Sequence, residues 1–167
     1  EHYCETGFTL SFNSKDREGH VNYGGYASDY VVDYEYLVPI PADADLARMA
    51  PLLCGGITVY TPLKRFKVGP GTTLCVLGMG GLGHLAIQFA SAMGARVIVA
   101  SRSEAKRADA TRMGAEVALD PDSEDLQAWM GQVDLILDTI SNPHDLNRWF
   151  PLLRRGGKLC LVGVPTD

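Results

Sequence analysis

A chain of 167 residues, 46% of them apolar, suffices for one packed domain or parts of two. Its formal net charge of −5 gives no basic field and argues against nucleic-acid binding. No apolar run reaches the length of a membrane span, nothing resembles a signal peptide, and no C-x-x-C pair occurs, which sets aside membrane insertion and a disulfide framework and fits the reducing cytoplasm. The chain opens at Glu1 without an initiator methionine, as a fragment or a trimmed product would.

In chain order, residues 1–50 are rich in Tyr, Val, Gly and Asp. Asn13 to Gly25 is polar and glycine-bearing, so composition predicts a loop. Tyr26 to Val38 alternates roughly and ends at Pro39 and Pro41, the pattern of β structure. From Ala44 the pattern turns helical, with a break near Pro51. Val68-Gly69-Pro70-Gly71 is a turn signal before the first buried strand.

Beyond that turn, strands are predicted near 73–77, 96–100, 116–119, 133–138 and 158–163. Helices are predicted near 81–93, 104–113, 123–130 and 144–155. Gly94 and Gly114 stand where helix C-caps belong, and Ser103 and Ser123 where N-caps belong. Pro151 is awkward inside the last helix and predicts a kink or a restart there. Five strands in alternation with helices spell an α/β fold with a doubly wound parallel sheet.

The most informative stretch is Gly78-Met79-Gly80-Gly81-Leu82-Gly83, set between the apolar strand Thr73–Leu77 and a helix striped by Leu82, Leu85, Ala86, Phe89, Ala90 and Met93. Strand, glycines and helix in that order make a dinucleotide fingerprint. The glycines allow a tight turn, close approach of backbone to a pyrophosphate, and close helix–strand packing, and the helix N-terminus offers free amides to the phosphates. At the end of the second strand, where an NAD site carries Asp or Glu, the chain reads Ser101-Arg102-Ser103, with Lys106 and Arg107 close behind. Hydroxyls and cations suit a 2′-phosphate that a carboxylate would repel, so the cofactor expected is NADP(H).

Ala50-Pro51-Leu52-Leu53-Cys54-Gly55-Gly56-Ile57-Thr58-Val59-Tyr60 resembles the segment of zinc-dependent medium-chain alcohol dehydrogenases that carries a catalytic-zinc cysteine. Gly24-Gly25-Tyr26-Ala27 and Val38-Pro39-Ile40-Pro41 are similar to the preceding part of that family's catalytic domain, and Leu161-Val162-Gly163-Val164-Pro165 completes the pattern. The cinnamyl alcohol dehydrogenase-like branch, NADP-dependent reductases of aldehydes, is the most similar. The resemblance implies that residues 1–54 end a β-rich, GroES-like zinc-binding domain and that 55–167 form a Rossmann-type dinucleotide-binding domain with five of six strands.

It also implies site roles. Cys54 would be a ligand of the catalytic zinc, its partners lying upstream of Glu1, and Cys4 would be the last of four ligands of a structural zinc. Thr58, Leu82, Thr139, Ile140, Val162 and Val164 match positions lining the nicotinamide half of the cofactor, with Gly163 between the last two. The expected partners are a small aldehyde or alcohol and a second copy of the chain in a homodimer joined through the sixth strands. Without that strand, Leu159 to Val162 would form an open, apolar sheet edge.

Blander roles fit other residues. Cys75 and Cys160 sit in strands and read as core. His84 opens the helix after the glycine loop, where it could meet a phosphate or cap the helix. His2, His20 and His144 lack metal-ligand spacing, and Asp134 and Asp138 read as structural. Lys106 and Arg107 are either a solvated helix face or part of the phosphate site. Two competing functions share the fold: a zinc-free reductase of activated double bonds, which Cys54 argues against, and a non-catalytic NADPH-binding protein. A methyltransferase is disfavoured by the Cys54 segment and by the strand ending at Val162-Gly163-Val164-Pro165.

Overall fold

The computed structural model describes residues 7, 9–25 and 27–163. The chain forms two compact units, Glu1–Ala44 and Asp45–Asp167.

In the first unit, strand β1 (Phe12–Lys15) pairs antiparallel with β2 (Val21–Tyr23). The loop predicted over Asn13–Gly25 is therefore a hairpin. Its turn is built by Asp16, whose carboxylate accepts the amides of Glu18 (2.9 Å) and His20 (2.8 Å), and by Gly19 at φ +91°. The His20 amide is the largest of the influences that hold the Asp16 carboxyl below its ordinary pKa. The β structure predicted over Tyr26–Val38 is absent among the described residues. A single 3-10 turn, Tyr34–Tyr36, is found instead, started by the Asp33 carboxylate accepting from the Glu35 amide. Val31, Tyr34 and Tyr36 are exposed, so the alternation there marks no buried face.

The second unit begins with α1 (Leu46–Met49), capped by Asp45, and a 3-10 turn, Ala50–Leu53, with Pro51 in its first turn. This is the break predicted at Pro51. Helix α2 (Gly55–Arg65) follows. The sheet then assembles from β3 (Thr73–Leu77), β4 (Arg96–Ala100), β5 (Val117–Leu119), β6 (Val133–Asp138) and β7 (Leu153–Leu161), with α3 (Gly81–Ala92) after β3 and α4 (Glu104–Arg112) after β4. All pairings are parallel, in the order β5-β4-β3-β6-β7. This is the doubly wound, Rossmann-type arrangement that the alternation predicts.

Period-two burial accounts for the layering. Leu74, Val76, Val97, Val99, Leu135 and Leu137 face one side and pack with Val59 and Leu63 of α2, Ala86, Ile87 and Ala90 of α3, and Ala110 of α4. Cys75, Leu77, Ile98, Ala100 and Ile136 face the other side, against Trp149 and Leu152. Each such Leu, Ile or Val contributes about 1.5–3 kcal/mol on burial. Cys75 is core, its thiol pushed up to about 12 by burial, and the half-buried Cys160 is also shifted up by burial. Asp134 is structural: its carboxylate accepts the Thr73 amide at 2.8 Å and pairs with Arg154, tying the starts of β3, β6 and β7.

The predicted caps hold. Ser103 accepts the Lys106 amide and Ser123 that of Asp125, while Gly94 and Gly114 take φ +83° and +107°. The helix predicted over 123–130 is a 3-10 segment, Glu124–Trp129. The helix predicted over 144–155 shrinks to a 3-10 turn, Phe150–Leu152, with Pro151, which has no amide hydrogen to donate, in its first turn. Strand β7 consequently starts at Leu153, earlier than the predicted 158. It absorbs Gly156 (φ +79°) and Gly157 as a bulge between the Val133↔Leu153 and Leu135↔Lys158 pairings.

Candidate functional site

The strand order places β3 between β4 and β6. The connections from β3 and β6 therefore diverge, and a crevice opens beyond their carboxyl ends. Gly78 leaves β3 at φ +82°, and its amide donates to Ala100 O at 2.9 Å. Gly83 carries the packing: a Cβ there would lie 2.3 Å from Gly78 O, so only glycine lets α3 sit this close to the strand end. Gly80 and Gly81 contrast with it, because a Cβ on either meets nothing within 4 Å. The space over them is open to a ligand. The first intrahelical bond of α3 runs from His84 N to Gly80 O, leaving the amides of Gly81, Leu82 and Gly83 without a helical acceptor, at the positive end of the dipole. The ring of His84 is a cap, its Nδ1 donating to Gly80 O at 3.1 Å.

Across the crevice, Thr139 is tied to β3 by its amide (3.1 Å) and its hydroxyl (2.8 Å), both donating to Leu77 O. The Ile140 amide donates to Asp138 Oδ1 at 3.0 Å. Val162 and Gly163 both donate their amides to Asp138 O, and a Cβ on Gly163 would lie 2.2 Å from Ile140 O. Gly78, Thr139, Ile140 and Gly163 thus converge. Thr58 lies on the first turn of α2, its amide bonded to Cys54 O. Gly55, just before it, sits against Leu82 and Leu85 of α3, which brings the start of α2 beside the glycine loop.

A cleft of about 460 Å³ runs from Gly78 and Met79 past Ala100–Ser103 and Lys106 to the segment 140–149. Ser101 is buried at its floor, its amide bonded to Leu119 O, while Arg102, Ser103 and Lys106 are exposed at its rim. The side chains of Arg102 and Lys106 have no ion-pair partner among the described residues, which leaves two free cations beside the Ser101 and Ser103 hydroxyls. Arg107 belongs elsewhere. Its guanidinium donates to Ser101 O (2.7 Å) and to Asp120 (2.9 Å), bracing the ends of β4 and β5.

Cys54 is exposed at the start of α2. No group of three His, Cys, Asp or Glu side chains able to hold a metal occurs among the described residues. Cys4 and Val164 lie outside the described residues. Sequence reasoning missed Asn142, His144, Arg148 and Trp149, which wall the cleft. The available signal was position: they follow the β6 strand that flanks the switch point. No helix among the described residues is long and apolar enough to cross a membrane.

A family model described as zinc-binding dehydrogenase matches residues 81–167. An NADP-dependent alcohol dehydrogenase C from Mycolicibacterium smegmatis is 44% identical over 99% of this chain and 48% of its own. An aldehyde reductase from Escherichia coli is 43% identical over 99% of this chain and 48% of its own. The crystal structure of a CAD from Helicobacter pylori complexed with NADP(H) matches with a TM-score of 0.83 and 40% identity, over 93% of this chain and 44% of that one. The chain spans about half the length of the curated relatives it matches.

Proposed function

The chain belongs to the zinc-binding dehydrogenase family, and from that premise we propose that it is the cofactor-binding part of an NADP-linked alcohol dehydrogenase that works as an aldehyde reductase. The observation that carries the reading is the crevice. Open glycines and free helix amides meet a pyrophosphate, and two unpaired cations with two serine hydroxyls meet a 2′-phosphate where a carboxylate would signal NAD. When bound, the nicotinamide supplies the hydride passed to an aldehyde carbon, or recovers it from a primary alcohol. The protein's part is placement. The amides of Gly81, Leu82 and Gly83 fix the phosphates. Ser101, Arg102, Ser103 and Lys106 hold the ribose end. Thr58, Leu82, Thr139, Ile140, Val162, Gly163 and Val164 are assigned to orient the nicotinamide and exclude water from it.

Cys54 is assigned as one ligand of a catalytic zinc in the complete enzyme, and Cys4 as one ligand of a structural zinc. A catalytic site needs three protein ligands and an open position. The described residues supply one, so the set does not fit a metal by itself. The functional boundary is proposed at 54/55, with residues 1–54 closing the zinc-binding domain and 55–167 forming the dinucleotide-binding domain. The complete protein is proposed to be cytoplasmic and homodimeric.

The test incubates the 167-residue chain with zinc, NADPH and aromatic and aliphatic aldehydes. The expected result is NADPH binding without turnover. Absence of binding would overturn the cofactor assignment, and sustained NADPH oxidation above a protein-free control would overturn the ligand count.

A further inference from the structure

The turn that follows β5 is Asp120-Pro121-Asp122-Ser123, closed by the Ser123 amide donating to Asp120 O at 3.0 Å. Aspartate at the first position and proline at the second suit such a turn, because proline presets φ and the aspartate side chain captures a later amide. Here Asp120 Oδ1 accepts the Asp122 amide at 3.0 Å. Two arginines from the two walls of the cleft grip this one turn. From the β4 side, Arg107 joins Asp120 Oδ2 (2.9 Å) to Ser101 O (2.7 Å). From the β6 side, Arg148 donates from Nη1 and Nη2 to Asp122 Oδ1 (3.1 and 3.2 Å) and from Nη2 to Pro121 O. Its guanidinium also lies over the ring of the buried Trp149, 5.2 Å from the centroid. Among the described residues, every other hydrogen bond made by residues 141–149 stays within the stretch 141–152. Arg148 is therefore the one hydrogen-bonded tie, among those residues, between the segment after β6 and the turn after β5.

We propose that Arg148 is a positioning residue for the adenine of the nucleotide, a latch that holds the turn after β5 and the segment after β6 at one separation. The role rests on the NADP(H) reading of the crevice. With the pyrophosphate on the amides of Gly81, Leu82 and Gly83, and the 2′-phosphate among Ser101, Arg102, Ser103 and Lys106, the base on that same ribose is left the part of the cleft lined by Pro121, Asn142, Arg148 and Trp149. Pro121 comes from one side of the latch and the other three from the opposite side. A direct phosphate contact suits Arg148 less well. Its charge is matched by Asp122 and its donors are engaged, in contrast with Arg102 and Lys106. The fork geometry matters: a planar guanidinium grips a carboxylate and a carbonyl at once while one face rests on an aromatic ring, which an ammonium cannot do. The side chains of Arg148 and Asp122 are 41% and 75% exposed, so the pair adds little to global stability and its effect is read in binding.

The experiment titrates NADP+, NAD+ and etheno-NADP+ into the wild-type chain, Arg148→Lys, Asp122→Ala and the double variant, at one pH and about 0.15 M salt. Arg148→Lys keeps the charge and loses the fork. It should weaken NADP+ about three- to fivefold, the size an exposed ion pair supports. Asp122→Ala should weaken it by the same factor, although it removes a negative charge from near an anion site. The double variant should be no weaker than either single one, because both break one tie. NAD+ should lose the same factor as NADP+, since the adenine is common to both. The wild type should prefer NADP+ over its etheno derivative, whose base carries an extra fused ring, and both single variants should narrow that preference. A general loss of stability would not move this ratio, so an unchanged ratio would overturn the positioning role. Tighter NADP+ binding by Asp122→Ala would also overturn it and make Arg148 a phosphate ligand, as would a loss confined to NADP+. Wild-type affinity in Arg148→Lys would overturn it as well. Backbone NMR relaxation on the free chain separates the latch from the cofactor. Residues 141–147 should gain motion in Arg148→Lys and Asp122→Ala, and no gain would overturn the latch itself. If they loosen but no nicotinamide nucleotide binds the wild type, the NADP(H) reading and the adenine role fall together while the tie stands.

Discussion

Two regions of the second unit ask for different things from the chain. At the crevice, strand end, glycine turn, helix amides and hydroxyl-cation rim all come from residues 73–106, and the sheet brings 139–163 against them by parallel pairing. At Cys54, one exposed thiol stands at a helix start, with no grouping of metal-ligating side chains around it among the described residues. A phosphate site built of backbone amides needs only local geometry. A catalytic zinc needs three protein ligands, and the described residues group none with Cys54.

The largest effect is expected where packing and binding coincide in the crevice. Gly83→Ala puts a Cβ within 2.3 Å of a backbone oxygen that cannot retreat without shifting α3 or β3. It should destabilise the second unit by about 3 kcal/mol and abolish measurable NADPH binding, read by denaturant unfolding and by titration. Gly80→Ala sharpens the contrast within the same loop. Its Cβ meets no protein atom, and its backbone already lies at negative φ. Stability should stay within about 0.5 kcal/mol while NADPH affinity falls at least about tenfold, because the methyl takes the space the pyrophosphate needs.

Those two glycines also show how far the sequence could be read. The motif announced a phosphate loop, and the strand–helix alternation announced the sheet, because both are local or periodic signals. Which glycine packs against protein and which faces the ligand depends on Gly78 O and so on the fold. Regions without period misled. Residues 144–155 carry enough apolar positions for a helix, but Pro151 and the burial of Trp149 and Leu152 under the sheet leave only a short 3-10 turn. Gly156-Gly157 falls between the predicted helix and strand yet lies inside β7, where a Cβ on Gly157 would come within 2.8 Å of Val133 O. Arg107 has the charge and the position of a phosphate ligand, but its partner Asp120 comes from the end of another strand, which spacing along the chain does not reveal.

The smallest expected effect is at Cys54. Cys54→Ser should change neither the unfolding free energy of this chain, beyond about 0.5 kcal/mol, nor its NADPH affinity, while removing zinc from the complete enzyme. Thiol labelling located by mass spectrometry should mark Cys54 in the folded chain and spare Cys75, which is buried and has its thiol pushed up to about 12. A large loss of stability or of NADPH affinity in the Ser variant would show that the two regions are not independent.

The end of β4 is proposed to read a 2′-phosphate. This is tested most directly by the ratio of NADPH to NADH affinity in the wild-type chain and in Ser101→Asp. Ser101 is buried, in a cleft also lined by the cations Arg102 and Lys106. A carboxylate there would face the phosphate at close range, a juxtaposition costing several kcal/mol, on the order of a hundredfold or more in affinity. The wild type should bind NADPH more tightly than NADH, and Ser101→Asp should reverse that preference. Equal or tighter binding of NADH by the wild type would contradict it.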